Sequence, residues 1–275
     1  FGAYGTGTDP VISGFSVPGA WTNEGNGIWS ADAPQAASGL NMVCMQGTPQ
    51  RIGRYPNTDA NDGGYLRYED AAGNLSITDQ QLSTSTDWTG AEVVIRKNHW
   101  TAERCRITRQ EGKTINYTYA NEGINPIDEP YLYPGLKNNG YFIQNDLRTL
   151  DQPGEWYMDT VRQRLYMYAG NTAPVRVQYS SRDTLVNTGS RSGLVFRNLQ
   201  FEGATRSGLC NRGGGSIHII SCRFRNIGAK AIHCWNTPNV LIDSVDTYFV
   251  LSNAIQVRNR QMDDVIVRNC RIRQT

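Results

Sequence analysis

Two sets of three residues in the C-terminal part of the chain have the types and spacing of a binding surface. Within each set successive members are 23 residues apart: Cys210, His233 and Gln256 form the first set, and Arg212, Trp235 and Arg258 form the second. Imidazole exchanges protons near neutral pH, indole packs on the apolar face of a sugar ring, and guanidinium binds carboxylates with two parallel hydrogen bonds. If folding brings each set into a row, the surface suits a saccharide. The alternative is that these are the polar residues any exposed sheet face requires, with Trp235 covering a nearby loop.

An internal repeat in the second half of the chain explains this spacing. The segments LVFRNLQF, IHIISCRF, VLIDSVDT and VIVRNCRI start 23, 23 and 25 residues apart, at Leu194, Ile217, Val240 and Val265. Apolar residues alternate within each segment, as Leu194 and Phe196 do, which is the pattern of a strand with one buried face. A short polar residue such as Asn198 then changes the phase, which indicates a bend.

A second strand follows each of the first three segments, written GLCNR, AIHCWN and AIQVRN. Leu209, Ile232 and Ile255 align and face inward, so both sets of three face outward. Short strands with Gly and Asn at the corners, in coils that need neighbours to bury their apolar sides, predict a parallel β-solenoid. A helical repeat is excluded because Val, Ile, Phe and Asn at period two are poor helix formers. Stacked strands lie about 4.8 Å apart, so each set would form a row.

Composition and charge narrow the class of protein. The 275 residues include 28 Gly and 14 Tyr with 19% charged residues, which favours a β-rich globular protein. No apolar run approaches the ~18 residues of a membrane span. Residues 1–190 carry a charge balance of −5, whereas residues 191–275, with 12 basic and 5 acidic residues, carry +7. Nucleic acid is a poor ligand candidate, because the basic residues are not interleaved with stacking aromatics.

The lines GLVFRNLQFEGA and DVIVRNCRIRQT resemble the coils of right-handed parallel β-helix (pectin-lyase-like) proteins, a group that includes pectate lyases and polygalacturonases. The resemblance covers residues 190–275 and implies an all-β, right-handed parallel β-helix (solenoid). In those relatives the sheet that corresponds to the second strand carries the saccharide groove. Such a pattern is specific for fold and weak for function.

The front half resembles a secreted, glycoside-hydrolase-like subgroup of these proteins with an inserted antiparallel β-rich domain. The matching pieces are YGTGTDPVISG, Gln46–Asn57 and Asn145–Gly170, and the last predicts a hairpin of strands Glu155–Met158 and Arg164–Tyr168. The predicted domains are first coils at 1–20, an inserted domain at 21–175 and coils at 176–275. We expect coils to continue beyond the last residue, and the chain to be a fragment or a processed product.

Candidate catalytic groups are sparse in the repeat. Hydrolysis of a glycosidic bond uses two carboxylates, and the candidates are Asp243 and Asp246, with His233 as a proton carrier. Neither aspartate belongs to the outward sets. The polygalacturonase signature, an Asp just before the second strand, is absent, which argues against that activity.

A lyase would use a cationic base instead, and Lys230, Arg212 or Arg258 are the cations available. No acidic calcium loop is evident. His218 is expected to be structural, and His99 would line the groove only if the front domain folded over the solenoid.

Register argues against disulfides within the repeat. Cys222 and Cys270 share a column but lie two rungs, about 9.6 Å, apart, whereas a bridge needs Cα atoms within about 7 Å. Cys210 faces outward and Cys234 inward. These four cysteines are interpreted as small apolar fillers or free thiols, and no spacing supports zinc.

The sequence therefore predicts an exported carbohydrate-active protein of the extracellular space, the cell surface or the periplasm. The leading hypothesis is a glycoside hydrolase that acts on a polysaccharide or oligosaccharide through Arg212, His233, Trp235, Gln256 and Arg258. The alternatives are a polysaccharide lyase acting on a uronate-containing glycan and a non-catalytic surface or adhesive scaffold. No metal or other cofactor is expected, except calcium in the case of a lyase.

Overall fold

The computed structural model of the protein describes residues 1–71, 75–97, 102–118, 137–259 and 264–275. The regular structure of these residues is almost entirely β. The strands of the first half are β1 (Val11–Ser13), β2 (Phe15–Ser16), β3 (Thr22–Gly25), β4 (Ile28–Asp32), β5 (Val43–Met45), β6 (Thr48–Gln50), β7 (Arg54–Tyr55), β8 (Leu66–Arg67), β9 (Ser76–Thr78), β10 (Glu92–Arg96), β11 (Ala102–Glu111), β12 (Thr114–Tyr117) and β13 (Gly140–Gln144).

The second half continues in the same way. Its strands are β14 (Trp156–Asp159), β15 (Arg164–Tyr168), β16 (Val177–Ser180), β17 (Arg182–Asn187), β18 (Leu194–Arg197), β19 (Gln200–Arg212), β20 (Ile217–Ile220), β21 (Arg223–Ile227), β22 (Lys230–Trp235), β23 (Val240–Asp243), β24 (Asp246–Val250), β25 (Asn253–Arg258), β26 (Val265–Arg268) and β27 (Arg271–Arg273). Within the described ranges, helical structure is confined to a four-residue turn, Asn61–Gly64, and a 3₁₀ turn, Leu147–Thr149. Among the described residues no helix has the length and apolar character to cross a membrane.

Two compact units make up the described chain. The first contains residues 1–18, 35–49 and 176–275, and the second contains residues 19–34 and 50–175. The domain ranges 1–20, 21–175 and 176–275 stay a prediction from the sequence.

The first unit is built on a parallel solenoid, as the repeat predicts. One parallel sheet has the order β18-β20-β23-β26, and the other has the order β25-β22-β19-β21-β24-β27 with β1 and β17 also joined to β19. Leu194, Ile217, Val240 and Val265 lie opposite one another on successive coils. The all-β fold class with a parallel β-helix is therefore confirmed.

The predicted bend after each first strand is also confirmed. The short polar residues there have left-handed backbones, with φ values of 53° at Asn198, 52° at Ser221, 57° at Ser244 and 54° at Asn269. Asn tolerates this region better than most residues because its short side chain bonds locally. The main chain itself links the coils at the bend, where the Ser221 N–H donates to the Asp243 carbonyl at 2.9 Å.

The interior of the solenoid is apolar and stacked in register. Phe201 and Phe224 on neighbouring coils stack with ring centroids 4.6 Å apart and planes 7° apart. Ile219 and Ile242 are fully buried one rung apart in another column. Each coil thus buries its apolar side chains against the next one.

A long segment interrupts the first coil. β1 runs parallel to the beginning of β19, and β17 runs parallel to its end. Where the chain leaves and returns, the Ser181 N–H donates to the Gly14 carbonyl at 2.8 Å. Part of the intervening chain, through β5 and β6, forms a small antiparallel sheet with β2 and β16 within the first unit.

The second unit consists of antiparallel sheets. One has the order β7-β13-β10-β11-β12-β9, with β8 also paired to β13, and the other has the order β14-β15-β4-β3. The predicted hairpin is confirmed as the β14–β15 pair. Tyr68, Ile95 and Tyr141 are fully buried in the core of this unit.

Candidate functional site

The register of both predicted rows is confirmed. Cys210, His233 and Gln256 lie opposite one another on β19, β22 and β25, and so do Arg212, Trp235 and Arg258 two residues later. The 23-residue spacing therefore brings the six side chains onto the same three strands. Their role as a binding site stays a prediction.

The first row is not an open surface. Cys210 is only 6% exposed and His233 only 1%, whereas Gln256 is partly exposed. His233 Nδ1 lies 3.8 Å from Cys210 Sγ, so this imidazole and this thiol contact each other across neighbouring coils. The prediction that Cys210 and His233 are exposed on a groove is therefore wrong. The repeat determines which residues lie opposite one another, but it holds no information on the chain that packs outside the coil.

The second row is open. Arg212 and Arg258 are exposed and Trp235 is partly exposed. The guanidinium carbon of Arg258 lies 4.7 Å from the centroid of the Trp235 ring, and the His233 ring meets the indole edge-on at 6.4 Å and 84°. Arg258 thus covers one face of the indole, and a sugar ring would have to pack on the other face or displace this guanidinium.

A buried amide supports the end of the second row, and the sequence analysis gave it no role. Asn211 is fully buried, and its Nδ2 donates to Thr188 Oγ1 at 2.7 Å and to the Arg191 carbonyl at 3.2 Å. Its Oδ1 accepts a hydrogen bond from Thr237 Oγ1 at 2.7 Å. An Asn in an otherwise apolar inward column is the signal that identifies such a buried polar stack.

The aspartate candidates lie on other strands. Asp243 ends β23 and accepts hydrogen bonds from Asn269 at 3.0 Å and Arg268 at 2.9 Å. Hydrogen bonds from Asn269, Arg268 and Ser244 lower the pKa of this carboxyl, whereas a general acid needs a raised pKa. Asp246 begins β24 and pairs with Arg273 at 2.7 Å. Neither aspartate is on the strands that carry His233.

The other candidates occupy less accessible places or fall outside the described residues. Lys230, a possible lyase base, is only 5% exposed. His218 Nε2 lies 3.4 Å from Ser216 Oγ at the start of β20, which fits its expected structural role. His99 lies outside the described residues. Within the described ranges no cluster of three or more His, Cys, Asp or Glu side chains is arranged to hold a metal ion.

All six cysteines are free thiols, and every one except Cys270 is buried. The interpretation of the repeat cysteines as fillers or free thiols is confirmed. Burial raises the pKa of the Cys44, Cys105 and Cys234 thiols to about 12, so these groups stay protonated at neutral pH and are poor nucleophiles.

The second unit contains a pocket that the sequence analysis missed. It has a volume of about 370 Å³ and is lined by Asp62, Tyr65, Arg67, Arg96, Asn139 and Gly140. Asp62, Tyr65 and Arg67 are close in sequence, whereas Arg96, Asn139 and Gly140 come from distant parts of the chain. The pairing of β13 with both β8 and β10 brings the two groups together.

Comparisons with known proteins agree with this architecture. A solved structure titled "Glycoside hydrolase" superposes with a TM-score of 0.60 at 15% identity, covering 86% of this chain and 53% of that one. The chain thus spans about half the length of that protein, and the likeness shows a shared fold. No curated protein matches the chain. Residues 27–170, more than half of the 275, match the family described as the GH141 insertion domain. The protein belongs to this GH141 insertion domain family.

Proposed function

We propose that the protein is an exported, carbohydrate-active glycoside hydrolase of the pectin-lyase-like group, and that the second row of its solenoid binds a polysaccharide. The observation that carries this proposal is the open row of Arg212, Trp235 and Arg258 on three consecutive parallel strands. The family match and the fold shared with a protein titled "Glycoside hydrolase" support it.

The chemistry of the row favours an acidic polysaccharide. Arg212 and Arg258 stand one rung to either side of Trp235, so their backbones are about 9.6 Å apart. Guanidinium groups form paired hydrogen bonds with carboxylates, and an indole offers an apolar face to a sugar ring. The row thus matches a chain of sugar rings with repeated carboxylates.

Substrate binding, rather than bond cleavage, is the role of this row. Glycoside hydrolysis uses two carboxylates that flank the scissile bond, and the row contains no carboxylate. A polysaccharide lyase is the second candidate, favoured by the two exposed guanidinium groups that would neutralise a uronate carboxylate. If the protein is a lyase, we also expect it to bind calcium.

A panel of neutral and uronate-containing plant and algal glycans tests the proposal. A hydrolase releases new reducing ends alone, a lyase also generates unsaturated uronates that absorb ultraviolet light, and a scaffold binds without turnover. We expect release of reducing ends and binding of an acidic glycan. Absence of both binding and turnover on every glycan, with the solenoid folded by circular dichroism, would contradict the proposal.

Trp235→Ala tests the row itself. Loss of a stacked indole costs about 0.5–1.5 kcal/mol beyond buried area, so we expect glycan affinity to fall about tenfold. Tyr248→Ala is the matched control. Tyr248 is also an aromatic residue of the solenoid with an arginine over its ring, because the guanidinium carbon of Arg273 lies 5.6 Å from the ring centroid. It lies on β24, however, and so outside the row. Equal glycan affinity of the two variants would show that the row is not part of the binding site.

A further inference from the structure

The pocket of the second unit has the composition of a separate sugar site. We infer that it binds an acidic saccharide, with a carboxylate or sulfate group held by Arg67 and Arg96 and the sugar ring held against Tyr65. Its volume of about 370 Å³ falls in the range of small-ligand sites and suits one or two sugar units. The inference rests on the proposed function only in taking the ligand to be a saccharide.

The wall of the pocket is fixed before any ligand binds. The turn Asn61–Gly64 carries Asp62, and Arg54 lies behind this turn and donates to the Gly64 carbonyl and, at 3.0 Å, to the Pro56 carbonyl. Gly64 has a left-handed backbone, and a Cβ there would lie 2.3 Å from the Asn57 carbonyl oxygen. Because the wall is already ordered, ligand binding does not have to overcome the entropic cost of ordering the wall.

Arg67 is held so that part of its guanidinium faces a ligand. Its Nε and Nη2 donate to Asp62 Oδ2, both at 2.7 Å, and its Nη1 donates to the Asn138 carbonyl at 2.9 Å. Guanidinium has five N–H groups, and these three contacts engage one on each nitrogen. N–H groups on neighbouring guanidinium nitrogens can bind the two oxygens of a carboxylate or sulfate.

The charges and the aromatic wall define the class of ligand. Arg67 and Arg96 bring two guanidinium groups to the lining and Asp62 brings one carboxylate, and guanidinium groups pair with anionic oxygens. The Asp62 carboxylate accepts hydrogen bonds from sugar hydroxyls.

Tyr65 stands close against β13 because position 140 is glycine. A Cβ on Gly140 would lie 2.7 Å from the Tyr65 ring, and this ring packs edge-on to Phe142 at 5.6 Å. The guanidinium carbon of Arg54 lies 5.5 Å from the centroid of the Tyr65 ring. The ring is therefore anchored by its neighbours, and a sugar would pack against the part of it that lines the pocket.

Calorimetric titration of the 275-residue chain tests the inference with four probes: sodium D-glucuronate, D-glucose 6-sulfate, D-glucose and inorganic sulfate. We expect both acidic sugars to bind at least tenfold more tightly than glucose and than inorganic sulfate. Equal binding of glucose would overturn the role of the arginines, and equal binding of inorganic sulfate would reduce the pocket to a simple anion site.

Arg67→Gln locates the binding. The variant loses charge-assisted hydrogen bonds to the anionic group, so we expect affinity for glucuronate to fall at least tenfold. Arg109→Gln is the matched control, because Arg109 is an exposed arginine paired with Glu111 at 2.5 Å on another strand of the same unit. If Arg67→Gln misfolds by circular dichroism, Arg96→Gln takes its place.

Unchanged glucuronate affinity in a folded Arg67→Gln or Arg96→Gln variant would overturn the site. This outcome is distinguishable from failure of the proposed function. Trp235→Ala and the turnover assays report on the solenoid, whereas the pocket variants report on Asp62, Tyr65 and their neighbours in the second unit.

Discussion

At the scale of single residues, a polar group inside the coil supports the exposed row. Arg212, at one end of the row, directly follows Asn211, whose buried amide joins Thr188 and Thr237 from neighbouring coils. Thr237 in turn exchanges hydrogen bonds with Asn259, its N–H donating to Oδ1 at 2.8 Å. This stack fixes the corner at which the second strand of each coil ends, so the spacing of the arginines depends on it.

Asn211→Ala should destabilise the solenoid by about 2–4 kcal/mol. The change leaves hydrogen-bonding groups of Thr188 and Thr237 without this partner, and each unsatisfied buried group costs about 1–3 kcal/mol. Urea denaturation followed by circular dichroism measures the effect. Asn253→Ala, at an exposed asparagine of β25, serves as the control and should change stability by less than about 0.5 kcal/mol. Equal midpoints for the two variants would show that the stack contributes nothing.

The burial of the cysteines has a chemical consequence. Cys270 is the cysteine that remains partly exposed, and burial raises the pKa of Cys44, Cys105 and Cys234 to about 12. Because the thiolate is the reactive form, we expect a thiol reagent at neutral pH to label one cysteine in the native protein and six in denaturant. Mass spectrometry of tryptic peptides identifies the labelled residue. Rapid native labelling of Cys210 or Cys234 would contradict the described burial.

At the scale of elements, the periodicity of the sequence predicted the strands that repeat and the strands that are adjacent along the chain. The columns headed by Leu194 and Leu209 have the predicted register, because a period of two within strands and a fixed step between coils leave one way to stack them. The β14–β15 hairpin was predictable for the same reason, since its turn and both strands are contiguous.

Features that depend on distant chain segments were not predictable. The repeat places His233 outside the coil but holds no information on what covers it. The order β7-β13-β10-β11-β12-β9 joins strands up to about ninety residues apart, and nothing in a single sequence selects those partners. The pocket of Asp62, Tyr65 and Arg67 follows from that pairing and was therefore missed.

The corner between β21 and β22 illustrates a contact between distant elements. Asn41 comes from residues 35–49, and its Nδ2 donates to the Gly228 carbonyl at 3.0 Å. A Cβ on Gly228 would lie 2.0 Å from Asn41 Oδ1 and 2.2 Å from the Thr205 carbonyl oxygen. Glycine is thus required here for close approach.

Gly228→Ala should destabilise the first unit by about 1–3 kcal/mol, the usual cost of overpacking. Thermal unfolding followed by circular dichroism measures it. Gly7→Ala is the control, because Gly7 has nothing within 4 Å of an added Cβ and no left-handed backbone. A second test is Asn41→Ala combined with Gly228→Ala, which should recover part of the loss because one of the two clashing groups is removed. A Gly228→Ala variant as stable as Gly7→Ala would show that the corner is open.

At the scale of the whole molecule, charge is unevenly distributed along the chain. Residues 191–275 carry 12 basic and 5 acidic residues, whereas residues 1–190 carry 15 and 20. Several of these arginines are neutralised locally, as Arg268 is by Asp243 and Arg273 by Asp246. Arg258 is exposed and lies above Trp235. The solenoid should therefore attract an acidic polymer before any contact is made.

This attraction predicts how glycan binding depends on salt. Between about 0.1 M and 1 M salt the screening length falls from about 10 Å to about 3 Å, so affinity for a uronate polymer should drop steeply. The same polymer with its carboxylates methyl-esterified is the matched ligand, and its weaker binding should change little because stacking on Trp235 carries no net charge. Arg258→Gln should flatten the salt dependence for the acidic polymer while leaving that for the ester unchanged. Two outcomes would contradict this prediction: an affinity for the acidic polymer that does not change with salt, or a salt dependence that Arg258→Gln does not alter. Either would mean that the arginines do not select the ligand by charge. Recognition would then depend on the indole alone.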